Sequence, residues 1–227
     1  MNVALIPARG GSKRIPRKNI KLFDNKPIIA WAIDLAIHSK LFSKVIVSTD
    51  DDEIAEIARS FGAEVPFIRP KNISDDHSTI HPVILHGIDY LSKLNIDIKI
   101  ACCIFPCTPL LKLEYLEMGY NKLLSNMDKY VYAISKYPHP IERAMKKNNI
   151  NGDLEYIMPE NELVRTQDLK ETYFDCGQFY WGTADIWRSV NKIHSNAIGI
   201  ELPKLMAIDI DTIDDWERAE LIKSMGG

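Results

Sequence analysis

The stretch from Ile98 to Phe105 constrains this chain more than any other. It is apolar almost without interruption, so it lacks the alternation of a strand with one wet face. Such a strand is buried on both faces and needs helices above and below it. The surrounding pattern supplies them. Met1–Leu5, Val45–Val47, Val65–Ile68 and Tyr130–Ser135 read as further strands. Between them lie helical faces: Ile29, Ile33, Ala36 and Ile37; Ile54, Ile57, Ala58 and Phe61; Ile80, Val83, Ile84, Ile88 and Leu91; Leu116, Tyr120, Leu123 and Leu124. Pro27 opens the first helix, one of Ser48, Thr49 and Asp50 caps the second, and Gly62 stops it. The rhythm predicts an α/β fold, a mostly parallel twisted sheet flanked by helices. Ligands of such sheets bind at the carboxyl ends of strands. The loop after the first strand, Asp50, the polar turn Ser74–Thr79 and the Pro106 loop are therefore expected to face one pocket.

The rhythm fails between Lys136 and Asp175, where Pro138, Pro140, Gly152 and Pro159 break the chain. The expectation is one domain over residues 1–227 carrying an inserted arm at 136–175. Gln178–Trp181, Ile198–Leu202 and Ala207–Ile210 read as strands. Alternation gives the first of these a polar face, Gln178 and Tyr180, and a core face, Phe179 and Trp181. Thr212 starts the last helix, with Asp215 at capping-box spacing.

Two stretches carry chemistry. The first strand runs into Ala8-Arg9-Gly10-Gly11-Ser12-Lys13-Arg14-Ile15-Pro16-Arg17-Lys18-Asn19, which holds five cations in the ten residues from Arg9 to Lys18. Gly10 and Gly11 permit positive φ and close backbone approach, and free N–H groups in such a turn bind anions. Arg9, Arg14 and Arg17 can fork onto phosphate, while Lys13 and Lys18 act as point charges. The loop reads as a polyphosphate cradle, weighed against a solvated surface loop. It matches neither G-x-x-x-x-G-K-[ST] nor G-x-G-x-x-G. The second stretch is Ile208-Asp209-Ile210-Asp211. In an extended chain the two carboxylates point the same way, and two such charges repel unless a cation sits between them or one is protonated. Mg²⁺ is held by one or two carboxylates plus substrate phosphates. The competing reading makes Asp211 a helix cap and Asp209 a solvated edge charge. Asp50 is divided likewise between an N-cap and a site residue. Phe174–Trp181 reads either as a sugar-lining strand or as core.

Other classes fall away. The net charge is −3, unlike that of a typical nucleic-acid binder. No apolar run spans a bilayer and none at the start resembles a signal peptide. Cys102, Cys103, Cys107 and Cys176 lack zinc spacing and read as core thiols, pointing to the cytoplasm. His77, His81, His86 and His139 show no metal spacing, and no G-x-S-x-G elbow appears.

Ile6–Lys13, Lys18-Asn19, Val47–Asp50, Arg69-Pro70 and Ile208–Asp211 together resemble the acylneuraminate cytidylyltransferase family over nearly the whole chain, in order. Arg143-Ala144, Arg165–Leu169 and Asp175–Gly182 look most like the members that activate pseudaminic acid. Phe105 stands where sialic-acid-activating members carry Gln, and Arg143 lies one position further from His139-Pro140 than their sugar-binding Lys. The resemblance implies a nucleotide-diphospho-sugar transferase-like fold and a homodimer joining CTP to a nonulosonic acid for cell-surface glycans. It implies nucleotide contacts from Ala8, Arg9, Gly10, Gly11, Ser12, Lys13, Lys18, Asn19, Arg69 and Ser78, with Arg9, Lys13 and Asp211 catalytic. Mg²⁺ would sit on Asp209 and Asp211, and the sugar near Arg143, Arg165, Gln167, Gln178 and Tyr180. CMP-N-acetylneuraminic or CMP-legionaminic acid synthesis is the alternative within the family, and an inactive nucleotide-binding module the alternative outside enzymes.

Overall fold

The computed structural model describes residues 1–75 and 78–226. Asp76 and His77, part of the polar turn expected to face the pocket, lie outside the described residues. The elements run β1 (Asn2–Pro7), β2 (Leu22–Phe23), β3 (Lys26–Pro27), α1 (Ile28–Ser39), β4 (Lys44–Ser48), α2 (Asp52–Ser60), α3 (Ile80–Lys93) and β5 (Ile100–Ile104). They continue α4 (Leu113–Leu124), β6 (Tyr130–Lys136), β7 (Met145–Lys147), β8 (Leu154–Tyr156), β9 (Tyr173–Thr183), α5 (Ala184–Ser189), β10 (Ala197–Glu201) and α6 (Ile213–Ser224).

Six strands form one sheet in the order β10-β6-β9-β5-β1-β4. β1 runs parallel to β4 and β5, and β10 parallel to β6. β9 alone is reversed, antiparallel to both β5 and β6. The mostly parallel α/β sheet expected from the rhythm is what forms. Alternation along each strand feeds two cores. Ala4, Ile6, Cys102, Ile104, Phe179 and Trp181 pack with Ile29 and Ile33 of α1, Ile54 of α2 and Leu116 of α4. Val3, Leu5, Ala101, Cys103 and Tyr180 pack with Ile84 and Ile88 of α3 and Trp187 of α5. All four cysteines are buried as free thiols. A third, smaller cluster joins the two ends of the chain: Ile15, Phe23 and Ile28 meet Cys107, Ile208, Ile210 and Trp216.

Several expectations are corrected. Val65–Ile68 is no strand, and only the isolated bridges Ile46↔Glu64 and Thr49↔Ile68 remain. Pro66 lacks the N–H that a ladder there would need. Ala207–Ile210 belongs to no strand either, yet it keeps its alternation, with Ile208 and Ile210 buried. The second helix is capped not by Ser48, Thr49 or Asp50 but by Asp51, whose side chain accepts from Ile54 N. Tyr180 is 5% exposed and Gln178 1% exposed, so β9 has two core faces and no polar one. The arm at 136–175 is a β7–β8 hairpin among 3₁₀ turns. It leaves and rejoins the sheet where Lys136 pairs with Tyr173. The last helix opens on the expected Thr212/Asp215 capping box.

Candidate active site

The opening loop is held by its own neighbours before it can hold anything else. Ala8 is buried and donates to Ser48 O at 2.9 Å, ending β1. Gly10 N donates to Asp50 Oδ1 at 3.0 Å. The buried Arg69 guanidinium lies 3.6 Å from the same oxygen, so Asp50 ties the loop to Arg69. Gly10 and Gly11 do not use the positive φ open to them. Gly10 is required for space, because a Cβ there would stand 2.6 Å from Asp51 Oδ2. The reading of Arg17 as a phosphate ligand is corrected. Its guanidinium binds Asp51 bidentately at 2.5 and 2.9 Å and Glu53 at 2.5 Å. That contact holds the Asp51 carboxyl below its usual range. Arg17 thus braces the base of the loop, in the left-handed region at φ 54.

Asn19 is 4% exposed. Its amide donates to Arg9 O at 2.8 Å and accepts from Cys107 Sγ at 3.3 Å. Burial pushes the Cys107 thiol up to about 12, so it serves as a donor and not as a nucleophile. Asn19 thereby staples the cradle to the loop after β5.

Across from the cradle stand the two carboxylates. Asp211 Oδ2 lies 2.8 Å from Arg14, and Oδ1 lies 3.3 Å from Lys18. Lys18 Nζ also donates to Ile210 O at 2.5 Å. Asp209 opens onto the cleft, yet protein surrounds it on its other sides. That desolvation, with Asp211 beside it, pushes its carboxyl up to about 6. Desolvation outweighs the opposing pull of Lys18 and Arg14, which sit on Asp211. Among the described residues no group of three or more His, Cys, Asp or Glu gathers around a metal-sized gap. Two hard carboxylate ligands of this kind would suit Mg²⁺.

These residues share one cleft of about 350 Å³. Arg9, Ser12, Lys13, Arg14, Lys18 and Asn19 line one side, Asp209, Asp211 and Gly177 another, with Arg69, Ser78 and Phe105–Cys107 completing it. Ser78 accepts its place from Asp75, whose Oδ1 takes its N–H at 2.7 Å and its hydroxyl at 2.6 Å. Strand-end loops after β1 and β5 thus meet as the fold class requires.

The sugar-side residues are more dispersed. Arg143 donates to Val164 O at 2.6 Å within the arm, and Arg165 pairs with Asp168 at 2.7 Å. Gln167 lines a second cleft at the arm's base, with Lys136, Lys170 and Lys204. Tyr180 donates to Asp175 Oδ2 from inside the core, and His194 Nε2 lies 2.7 Å from that same oxygen. Gln178 donates to Cys176 O and Ile208 O at 3.2 and 3.1 Å. Cys107 reaches the cleft with the Pro106 loop, as expected, whereas Gly177 is marked in the sequence only by its position just before Gln178.

A cationic cradle and an acidic pair facing each other over one cleft, on a sheet of this topology, define an enzyme that transfers a nucleotidyl group. Residues 3–182 match the Cytidylyltransferase family model. The chain is 39% identical to pseudaminic acid cytidylyltransferase of Campylobacter jejuni, over 97% of this chain and 95% of that protein. It is 27% identical to CMP-N,N'-diacetyllegionaminic acid synthase of Legionella pneumophila, over 98% and 96%. Its fold is similar to that of a CMP:2-keto-3-deoxy-manno-octonic acid synthetase solved with CTP, at TM-score 0.71 and 15% identity, covering 100% and 99% of the two chains. The chain belongs to the cytidylyltransferase family.

Proposed function

We propose that this enzyme joins CTP to pseudaminic acid, giving the CMP-sugar and pyrophosphate, as a homodimer that uses Mg²⁺ in the cytoplasm. The observation that carries this reading is the shared cleft of Lys13, Lys18, Asp209 and Asp211, in a chain 39% identical along 97% of its length to an enzyme of that name. The anomeric hydroxyl of the sugar acid attacks the α-phosphorus of CTP. The new O–P bond forms as the bond to pyrophosphate breaks, in line. Arg9, Lys13 and Lys18 hold the β- and γ-phosphates and neutralise the charge that accumulates on the leaving pyrophosphate. Asn19 and Asp50 keep the cradle shaped for that purpose. Asp209 and Asp211 would hold the metal ion. When bound, Mg²⁺ supplies charge neutralisation at the α-phosphate and acidifies the attacking hydroxyl. The rest of the catalysis is positioning.

Pseudaminic acid is a carboxylate, and the cationic arm residues Arg143 and Arg165 are suited to a bidentate contact with it. Both are engaged within the arm, so substrate must displace Val164 O or Asp168. The arm also exposes Ile150 at 98% and Leu163 at 94%, apolar surface that a second copy would cover.

The test is pyrophosphate release with pseudaminic, N,N'-diacetyllegionaminic and N-acetylneuraminic acids, each with CTP, UTP, GTP or ATP. Turnover above all with CTP and pseudaminic acid supports the reading. Preference for the legionaminic substrate moves the assignment to that branch. CTP binding without release from any sugar acid makes the protein an inactive binding module. Solution mass decides the dimer.

A further inference from the structure

The segment carrying Asp209 and Asp211 runs from β10 to α6 with no strand ladder to hold it. Side chains grip it instead, Asp215 Oδ2 accepting from Asp211 N at 3.2 Å at its far end and two others on either side of Asp209. Gln178 Nε2 donates to Ile208 O at 3.1 Å, one residue before Asp209. Lys18 Nζ donates to Ile210 O at 2.5 Å, one residue after. The Lys18 grip is on the cleft and is shared with Asp211. The Gln178 grip is in the core.

Gln178 is 1% exposed. Both partners of its amide are carbonyls, Ile208 O and Cys176 O. Only the NH₂ can donate to them, so chemistry fixes which way the amide points. Its Oε1 is then left buried without a partner. A buried unpaired acceptor is costly, and an apolar side chain of the same shape would avoid that cost. A Gln kept here does something methionine cannot.

The backbone around it is bent to the same end. The β6–β9 register shifts between Tyr132 and Ile134. Opposite that shift Gly177 turns left-handed at φ +60. Asp175 Oδ1 accepts Gly177 N at 3.0 Å and fixes the turn. A Cβ on Gly177 would stand 3.4 Å from the Asp209 carboxylate. The bulge therefore backs the carboxylate with bare backbone and turns Gln178 onto the carbonyl just before it, as bulges beside sites re-aim side chains.

We infer that Gln178 is a positioning residue for Asp209: its amide, locked by the Asp175–Gly177 turn, fixes the backbone that aims this carboxylate into the cleft. The inference rests on the reading of Asp209 and Asp211 as the divalent-cation pair. It gives Gln178 a role through Asp209 and not through contact with the sugar.

The test uses the full chain with Gln178→Met, which keeps the shape and removes the donor, and Gln178→Glu, whose carboxylate cannot donate to two carbonyls. Mn²⁺ is titrated in the presence of CTP and followed by electron paramagnetic resonance. Outer-shell partners of metal ligands are worth about 10–100-fold in metal affinity, and a Mn²⁺ affinity loss of that size is expected in both variants. Metal-free CTP affinity should stay within about twofold, because no cradle residue is touched. Wild-type Mn²⁺ affinity in a variant overturns the inference, even if its melting temperature falls, since that is a merely structural role. A rise confined to the KM for the sugar also overturns it and makes Oε1 a substrate contact. If the wild-type protein itself binds no Mn²⁺ with CTP, the carboxylate-pair reading fails first. Should the methionine variant not fold, the glutamate variant is decided by the same readouts.

Discussion

Lys18 and Asp211 lie 193 residues apart in the chain, and Lys18 Nζ stands 3.3 Å from Asp211 Oδ1. With Arg14 at 2.8 Å from the other oxygen, the cradle's cations neutralise the carboxylate across the cleft. Under the proposed function, polyphosphate bound in the cradle would compete with Asp211 for Lys18 and the neighbouring Arg14.

Binding of CTP and of the divalent cation is accordingly expected to be coupled. CTP takes up Arg14 and Lys18 and leaves Asp211 more anionic toward the metal. Typical couplings are about 1–3 kcal/mol, or 5–150-fold, and reciprocal. Calorimetric titration of Mg²⁺ with and without CTP measures the factor. Equal Mg²⁺ affinity in the two titrations removes the coupling.

Asp211→Ala is expected to lower turnover by about 10²–10³-fold, the size of one lost electrostatic stabiliser. Metal-free CTP binding should be preserved or tightened, because Arg14 and Lys18 lose their competitor. Lys13→Ala is expected to do the reverse, weakening CTP. Pyrophosphate release together with CTP titration separates the two.

Asp209 predicts a pH dependence. Its carboxyl is pushed up to about 6, whereas an unfolded Asp titrates near about 3.9. Between those values the native protein keeps a proton that the unfolded chain has lost. Stability of the metal-free protein is thus eroded as pH rises from about 4 to about 6, and the full cost stays above about 6. Mg²⁺ with CTP should raise the melting temperature more at about pH 7.5 than at about pH 5, and Asp209→Asn should flatten that difference. A melting temperature that rises monotonically across the window for this group, judged against Asp209→Asn, refutes the assignment.

Gly10→Ala places a Cβ 2.6 Å from Asp51 Oδ2. Asp51 cannot retreat cheaply, since it caps α2 and holds Arg17. Overpacking of this kind costs about 1–3 kcal/mol. Both the melting temperature and CTP affinity are expected to fall. Gly11→Ala meets nothing within 4 Å and should leave stability nearly unchanged.

Arg17→Met tests a correction. A phosphate ligand would be seen as lost CTP affinity with a shallower salt dependence. The bonds to Asp51 and Glu53 predict instead a lower melting temperature, with the salt dependence of CTP binding intact.

The fold was legible because its information is local. Apolar runs and 3.6-residue faces placed α1 to α4 and the two-faced strand at Ile100–Ile104 by period alone, while the short α5 went unread. The cradle and the Asp209/Asp211 alternation were legible for the same reason, as clusters along the chain. What the residues could not reveal depended on partners far away. Asp50 and Asp51 are equally good caps on paper, and the choice is made by Gly10 N, which takes Asp50. Arg17 is one of five like cations until Asp51 and Glu53 are seen beside it. Val65–Ile68 lost its strand to Pro66, whose missing donor was there to be read. Gln178 and Tyr180 alternate as expected, but the far side of β9 is covered by α3 and α5, which no local pattern states.

The reversed strand also sets an order of events during synthesis. β9 lies between β5 and β6 in the sheet but emerges from the ribosome after both and after the arm. Until residues 173–183 arrive, β5 and β6 each present an unpaired edge. The nascent half therefore carries a cradle on an unfinished sheet. Closing the sheet with β9 also brings in Gly177 and Gln178, so one step late in synthesis both seals the exposed edges and readies the ground on which Asp209 comes to rest. A released chain truncated shortly after β6 should be protease-sensitive and bound by chaperones, and one truncated after β10 should resist digestion while still lacking the acidic pair.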